Sequence, residues 1–357
     1  MTKSILLMAG WFLLAGLNLY GQDSTYYFSA FNSKGDSLKS RLHQIIRGHI
    51  QFPYTSSSTD VWDLLKHTDR DTLDSTKVIL IYSNRSVDAA QEYNGGAGWS
   101  REHVWAKSRG NFGTAAGAGT DVHHLRPSSV GVNSSRNNRN FDNCQTCTNV
   151  LDKGTPTGSK RDANLWTFEP PDNVKGDVAR MLFYMCVRYE GSNNEPDLEL
   201  TDSLLTQTSQ APLHGNRNTL LAWHRADPVS NWERQRNRII YGYQGNKNPF
   251  IDYPELAEYL WGDSTGVVWK PESNLGQQDL FQVEASVYPN PNRGIFTLSL
   301  NAQKGSIRIF DARSRLLLQT QAEGSHTQLD LSAYPAGIYW LRASAEGGIV
   351  TQKVWIR

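Results

Sequence analysis

The hydrophobic positions change rhythm along the chain. Between residues 37 and 67 they recur at helical spacing, most clearly in "DSLKSRLHQIIRGHI", and predict a helix. "TKVILIYS" (76–83) gathers apolar and β-branched residues into a short run and predicts a strand. "DVARMLFYMCVRYEG" (177–191) predicts a strongly apolar helix that closes at Gly191. Helical spacing returns over 216–242, interrupted by "ADP", and once more in "YPELAEYLWG" (253–262). After Trp261 the rhythm disappears, and the polar, aperiodic stretch 263–286 reads as a linker. From Val287 apolar and polar residues alternate in "GIFTLSLN", "GSIRIFDA", "GIYWLRAS" and "IVTQKVWI", separated by Gly, Pro, Asn and Ser. That pattern predicts a small antiparallel β-sandwich over 287–357.

The first residues add an address. Lys3, an apolar stretch and small Gly21 before Gln22 form a secretory signal, expected to be cleaved near Gly21/Gln22. No later stretch could span a membrane. The expected organisation is therefore a signal peptide (1–21), a main domain (22–262), the linker (263–286) and the sandwich (287–357). In an exported chain Cys144 and Cys147 can close a small disulfide loop, although Cys-x-x-Cys also suits redox or zinc chemistry, for which a second pair is missing. Cys186, inside an apolar helical run, reads as a buried free thiol. Composition is that of an ordinary globular protein, with 38% hydrophobic and 20% charged residues and a net charge of +1. There is no global basic field, so a nucleic-acid partner would need a local patch.

Candidate chemistry is concentrated in two stretches, "WSREHVWAKS" (99–108) and "TDVHHLRPSSVGVNSSRNNRNFD" (120–142). Glu102 offers a hard oxygen for Mg²⁺ or Ca²⁺, and Asn133 a neutral amide oxygen of the same kind. Such a sparse shell leaves positions for water and phosphate oxygens. His103 can be neutral near neutral pH and accept a proton from water. Arg136, one helical turn after Asn133, could clamp a phosphate. Adjacent strand residues point to opposite faces, so Glu102 and His103 can serve one site only at a strand end or bulge. Blander readings exist. A lone Glu-His pair is usually without function, His123 and His124 read as structural histidines or as ligands of a zinc hydrolase, and "NSSRNNRN" could be a solvated loop.

At these residues the chain resembles a known family. "SREHVWAKS", "TDVHHLRPSSVGVNSSRNN", "MLFYMCVRY" and "AWHRADPVSNWERQRNRIIYGYQGNKNPFIDYPELAEYLW", in this order and spacing, are similar to the bacterial endonuclease I family of secreted or periplasmic nonspecific nucleases. The resemblance runs from about Tyr54 to Trp261, and Ala106 stands where relatives usually carry proline. It implies an α+β nuclease domain, mostly helical around a ββα-metal (His-Me) finger: two strands and a helix about one divalent ion. Carried over by position, His103 is the general base, Glu102 and Asn133 are the metal ligands, and Mg²⁺ is the expected ion, with Ca²⁺ or Mn²⁺ as substitutes. Asn137 and Asn138 lie in the same motif, but the spacing from Pro127 favours Asn133. Arg136 joins His103 as a catalytic candidate, and Arg101, His124, Arg126 and Asn138 are candidates to hold nucleic acid. A wider basic patch would add Lys107, Arg109, Arg139, Arg234, Arg236 and Arg238. The substrate expected is DNA, with RNA as a second substrate, cut to leave 5′-phosphate ends. The alternative is a surface protein that holds nucleic acid or glycan on such a scaffold without cutting.

"VYPNPNRGIFTLSL" and "LDLSAYPAGIYWLRAS" resemble the sorting domain read by the type IX secretion machinery of Bacteroidetes. That resemblance implies delivery, as a monomer, to the medium or the cell surface.

Overall fold

The computed structural model describes residues 26–271, 285–300, 302, 304–311, 315–345 and 348–357. The apolar start read as a signal lies outside the described residues, as does 272–284 of the expected linker. The chain divides into two compact units, one ending at Pro271 and the other beginning at Glu272.

The first unit mixes helices and short strands. The helix expected over 37–67 is two helices, α1 (Gly35–Ile46) and α2 (Val61–Thr68). Gly48, at φ +73°, and Pro53 end the first, and "TSSS" offers no apolar face to continue it. Asp60 then starts the second. Its carboxylate accepts from the Trp62 and Asp63 amides, and Asp63 returns the bond to the Asp60 amide. The strand expected over 76–83 is only β1 (Lys77–Ile79), paired antiparallel with β2 (Ser86–Asp88).

Next come β3 (Trp99–His103), β4 (Leu125–Ser129) and α3 (Val130–Arg136). A four-stranded sheet follows, of β5 (Asn140–Phe141), β6 (Thr148–Asp152), β7 (Thr155–Asp162) and β8 (Thr167–Glu169), in the order β5-β8-β7-β6. The apolar helix is α4 (Lys175–Arg188), which begins two residues earlier than expected and ends three earlier, because Tyr189 leaves helical geometry before Gly191 is reached. It is buried on all sides, as its unbroken run of apolar residues requires, and sits at the centre of the main core. A parallel pair, β9 (Glu199–Thr201) and β10 (Leu213–Asn216), leads to α5 (Arg217–Ala226) and α6 (Asn231–Gln244). The break falls at "DP" as expected, and Ser230 with Glu233 caps the second helix. Short helices α7 (Pro249–Asp252) and α8 (Leu256–Trp261) end the series.

The linker starts later than expected. Trp269 is fully buried, its amide donates to Ser33 (2.8 Å), and its ring meets Phe31 and Tyr253 edge-on. Residues 263–271 therefore complete the first unit. Cys144 and Cys147 form a disulfide, and Cys186 is buried and free.

The second unit is all antiparallel. β11 (Ala285–Tyr288) begins two residues before the expected boundary. It forms one sheet, β11-β12-β15, with β12 (Ile295–Leu300) and β15 (His326–Asp330). The other sheet, β14-β13-β16-β17, contains β13 (Lys304–Phe310), β14 (Leu316–Glu323), β16 (Gly337–Ala345) and β17 (Gly348–Ile356). Alternate residues such as Phe296, Leu298, Leu300, Leu341 and Ala343 fill a core between the sheets.

Candidate active site

β3 and β4 run antiparallel, with Glu102 opposite Arg126 and His103 opposite Leu125. α3 leaves β4 without a loop, because Ser129 caps it by accepting from the Val132 amide (3.3 Å). The strand alternates faces as pleating demands. Arg101 and His103 point toward Tyr54: the guanidinium lies 3.4 Å from the centre of that ring, and the imidazole stacks at 5.6 Å. Ser100 and Glu102 point toward α3, where the Asn133 amide nitrogen donates to Ser100 Oγ (3.0 Å) and to the Arg101 carbonyl (3.4 Å). His103 is the last residue of β3, so the two side chains share a strand end although not a face.

His103 is 6% exposed. Its Nε2 pairs with the Gly119 carbonyl (3.0 Å), so that nitrogen carries the proton and the lone pair resides on Nδ1. Burial pushes its pKa well below the ordinary value, a second proton on neighbouring His124 would compete with its own, and the Lys107 and Arg101 charges act in the same direction. The imidazole is thus neutral and holds the tautomer of a base.

Glu102 is 2% exposed, and burial raises its pKa to about 7, against the opposing pull of Arg136 and the Tyr82 hydroxyl. Oε1 accepts from Tyr82 (2.9 Å) and faces Arg136 Nε (3.3 Å). Oε2 accepts no hydrogen bond from the described residues. Asn133 is similar: its nitrogen is held, and its Oδ1 accepts none from the described residues. A buried, under-neutralised carboxylate and an oriented amide oxygen fit a hard divalent cation. No group of three or more His, Cys, Asp or Glu able to hold a metal occurs among the described residues, so any such ion would keep much of its water.

Several expected roles are corrected. Arg136 does not reach outward as a phosphate clamp. It is buried and donates to the His103 (3.2 Å), Val104 and Asn137 (2.8 Å) carbonyls, with His214 Nε2 at 2.8 Å. It fixes the end of β3 and partly neutralises Glu102. Arg126 is spent on Asp69 and Asp177, against the Trp232 ring. His124 is buried on the Ala118 carbonyl (2.7 Å), and His123 lies by the Asn246 carbonyl (3.2 Å). Burial lowers both pKa values to about 4, so they are neutral structural histidines facing different partners. Asn138 is a buried bridge, donating to Gln207 (2.8 Å) and Ser108 and accepting from Trp166 (2.9 Å). Arg109 and Arg236 are likewise buried on backbone carbonyls, so the wider basic patch shrinks. Arg101 alone of the four nucleic-acid candidates lines an open cleft.

Sequence reasoning missed Tyr54, Tyr82 and Gly119. Tyr54 and Tyr82 lie outside the motif along the chain, Gly119 stands just before its second stretch, and no spacing rule points to a stacking ring, a phenol and a carbonyl.

Over 245 residues the chain is 51% identical to the extracellular ribonuclease of Bacillus subtilis, covering 68% of this chain and 80% of that one. The extracellular ribonuclease of Bacillus amyloliquefaciens is 51% identical over 240 residues, 66% of this chain and 78% of its own. An extracellular deoxyribonuclease of Aeromonas hydrophila is 30% identical over 133 residues, 37% of this chain and 48% of that protein. Residues 286–357 match the secretion system C-terminal sorting domain, which directs export by type IX secretion to the cell surface or beyond. No helix among the described residues is long and apolar enough to cross a membrane. Residues 34–255 match Endonuclease I, and the chain, a nuclease, belongs to that family.

Proposed function

We propose that the chain is a metal-dependent, sequence-nonspecific endonuclease acting on both RNA and DNA, with β3, β4 and α3 as a ββα-metal finger. The observation that carries this reading is the state of His103: buried, neutral, with Nε2–H committed to Gly119 and Nδ1 left as a base. RNA joins DNA as substrate because the relatives matched over most of the chain are named ribonucleases, whereas the deoxyribonuclease match is shorter.

His103 Nδ1 takes a proton from water as the oxygen attacks phosphorus in line. The bond to the 3′ oxygen breaks and that oxygen takes up a proton from a solvent water, leaving a 5′-phosphate and a 3′-hydroxyl. Glu102 and Asn133 would hold Mg²⁺, which neutralises charge developing on the phosphate and leaving oxygens. Arg136 keeps the strand end rigid. Arg101 in the cleft and exposed Lys107 are the cations of the motif in a position to meet the polynucleotide. Incubating the purified protein with plasmid DNA and with structured RNA, with Mg²⁺ or with EDTA, tests the reading. Cleavage of both with Mg²⁺ and of neither in EDTA is expected. Undiminished cutting in EDTA would sink it.

A further inference from the structure

We propose that the cleft beside the active site is a stacking subsite for one unpaired nucleobase, so that single-stranded RNA or DNA binds better than duplex. The proposal rests on the nuclease reading and deepens it. The cleft has a volume of about 860 Å³ and is lined by Tyr54, Trp62, Gln91, Tyr93, Asn94 and Arg101, among others. It shares a wall with the catalytic imidazole, because the Tyr54 ring that lines it is also the ring stacked on His103. A polynucleotide with a phosphate at His103 therefore has a neighbouring base within reach of the cleft.

The lining suits a base. Tyr54 carries His103 and Arg101, and Trp62 carries Arg101 (4.1 Å) and meets Trp99 edge-on. Tyr93 is different: the residue is 54% exposed and has no ring partner among the described residues. Aromatic surfaces of this kind accept any base, since every base has a π-face. Gln91 and Asn94 are exposed amides that can donate to or accept from a base edge. The charge also suits an anionic chain: Glu92 is paired with Lys66 (2.5 Å), whereas Arg101, held by the Tyr54 carbonyl and Thr55 Oγ1 (3.0 Å), has no direct carboxylate partner among the described residues.

The loop that carries Tyr93 is fixed. The Gly96 and Gly98 amides donate to the Tyr93 carbonyl (2.8 and 3.2 Å), and the Trp99 amide donates to Gln91 (3.1 Å). A Cβ on Gly98 would stand 1.9 Å from the Gln91 carbonyl oxygen, so only glycine allows this closure. A base stacked inside a duplex cannot enter such a cleft without first being unstacked and unpaired, a cost that a single strand does not meet.

Binding of a short fluorescent oligonucleotide, single-stranded or duplex, is measured by anisotropy in EDTA, where nothing is cut. Tyr93→Ala should weaken single-strand binding about tenfold and change duplex binding less than about twofold. Tyr93→Phe should restore single-strand affinity. Unchanged single-strand binding by Tyr93→Ala, or equal weakening on both forms, overturns the subsite. Failure of the wild-type protein to cleave with Mg²⁺ would overturn the nuclease mechanism and leave this binding result standing on its own.

Discussion

His103 is surrounded by groups that oppose its protonation, so its activity should persist below the pH at which an ordinary histidine charges. With Mg²⁺ saturating, so that Glu102 is held ionised, the acidic limb of kcat/KM is expected below about pH 6.5, and a limb above that would mean the base is another group. His103→Ala should lower kcat about 10²–10⁴-fold while leaving Mg²⁺ affinity intact, because the ring moves a proton without holding the ion. Glu102 gives a second prediction. Its folded pKa, about 7, lies above the ordinary 4.5, so the folded protein keeps a proton that the unfolded chain has released. The metal-free protein should lose stability as pH rises from about 4.5 through 7, by about 3 kcal/mol from this group. Glu102→Gln should flatten that slope in EDTA, as read by thermal unfolding at several pH values. It should not abolish it, since buried Asp177, also raised to about 7, has the same sign. An unchanged slope would show that Glu102 is not the strained group. That Glu102, His103 and Asn133 gather where β3 meets α3 was legible in the sequence because the motif is local. The arginines were misjudged because residue type reports charge and not burial: Arg126 and Arg136 are cations facing inward.

At the level of elements, the sequence signals that worked were those with a local cause. The α5–α6 break follows from "DP" and the Ser230–Glu233 cap, and the tail strands follow from two-residue alternation. The 37–67 helix failed because apolar spacing was extended across Gly48, Pro53 and the serine run, where capping chemistry starts a new helix. Glu233 ties two levels together. It caps α6 through the Ser230 amide (2.8 Å) and also takes both Arg180 Nε (2.6 Å) and Nη2 (2.9 Å) from the buried central helix. Glu233→Ala removes the carboxylate half of the capping box, leaving the Ser230 cap on the backbone amide of residue 233, and leaves Arg180 without its bidentate partner. A loss of about 3–5 kcal/mol is expected in urea unfolding. A cost below about 1 kcal/mol would mean that His224 and the Asp227 carbonyl already satisfy Arg180.

At the level of the whole chain, the nuclease and sorting units have separate cores, with no residue common to the two clusters. Their boundary was legible only roughly, because residues 263–271 have no apolar period and a single tryptophan decides where the first unit ends. A chain ending after Pro271 retains Trp269, its backbone pairing with Asn32 and Ser33, and every residue assigned to catalysis. It should unfold at the temperature of the full-length nuclease unit and cut with the same metal dependence. A chain ending after Gly262 loses that indole from the core, at a cost of about 3–5 kcal/mol. It should melt measurably lower while remaining active at low temperature. Neither form carries the sorting domain, so in the native host both should stay behind the outer membrane while the full-length protein appears outside. Equal melting of the two truncations would remove Trp269 from the core's energetics. Inactivity of the longer one would mean that residues beyond Pro271 complete the nuclease, and the two-unit division would fall with it.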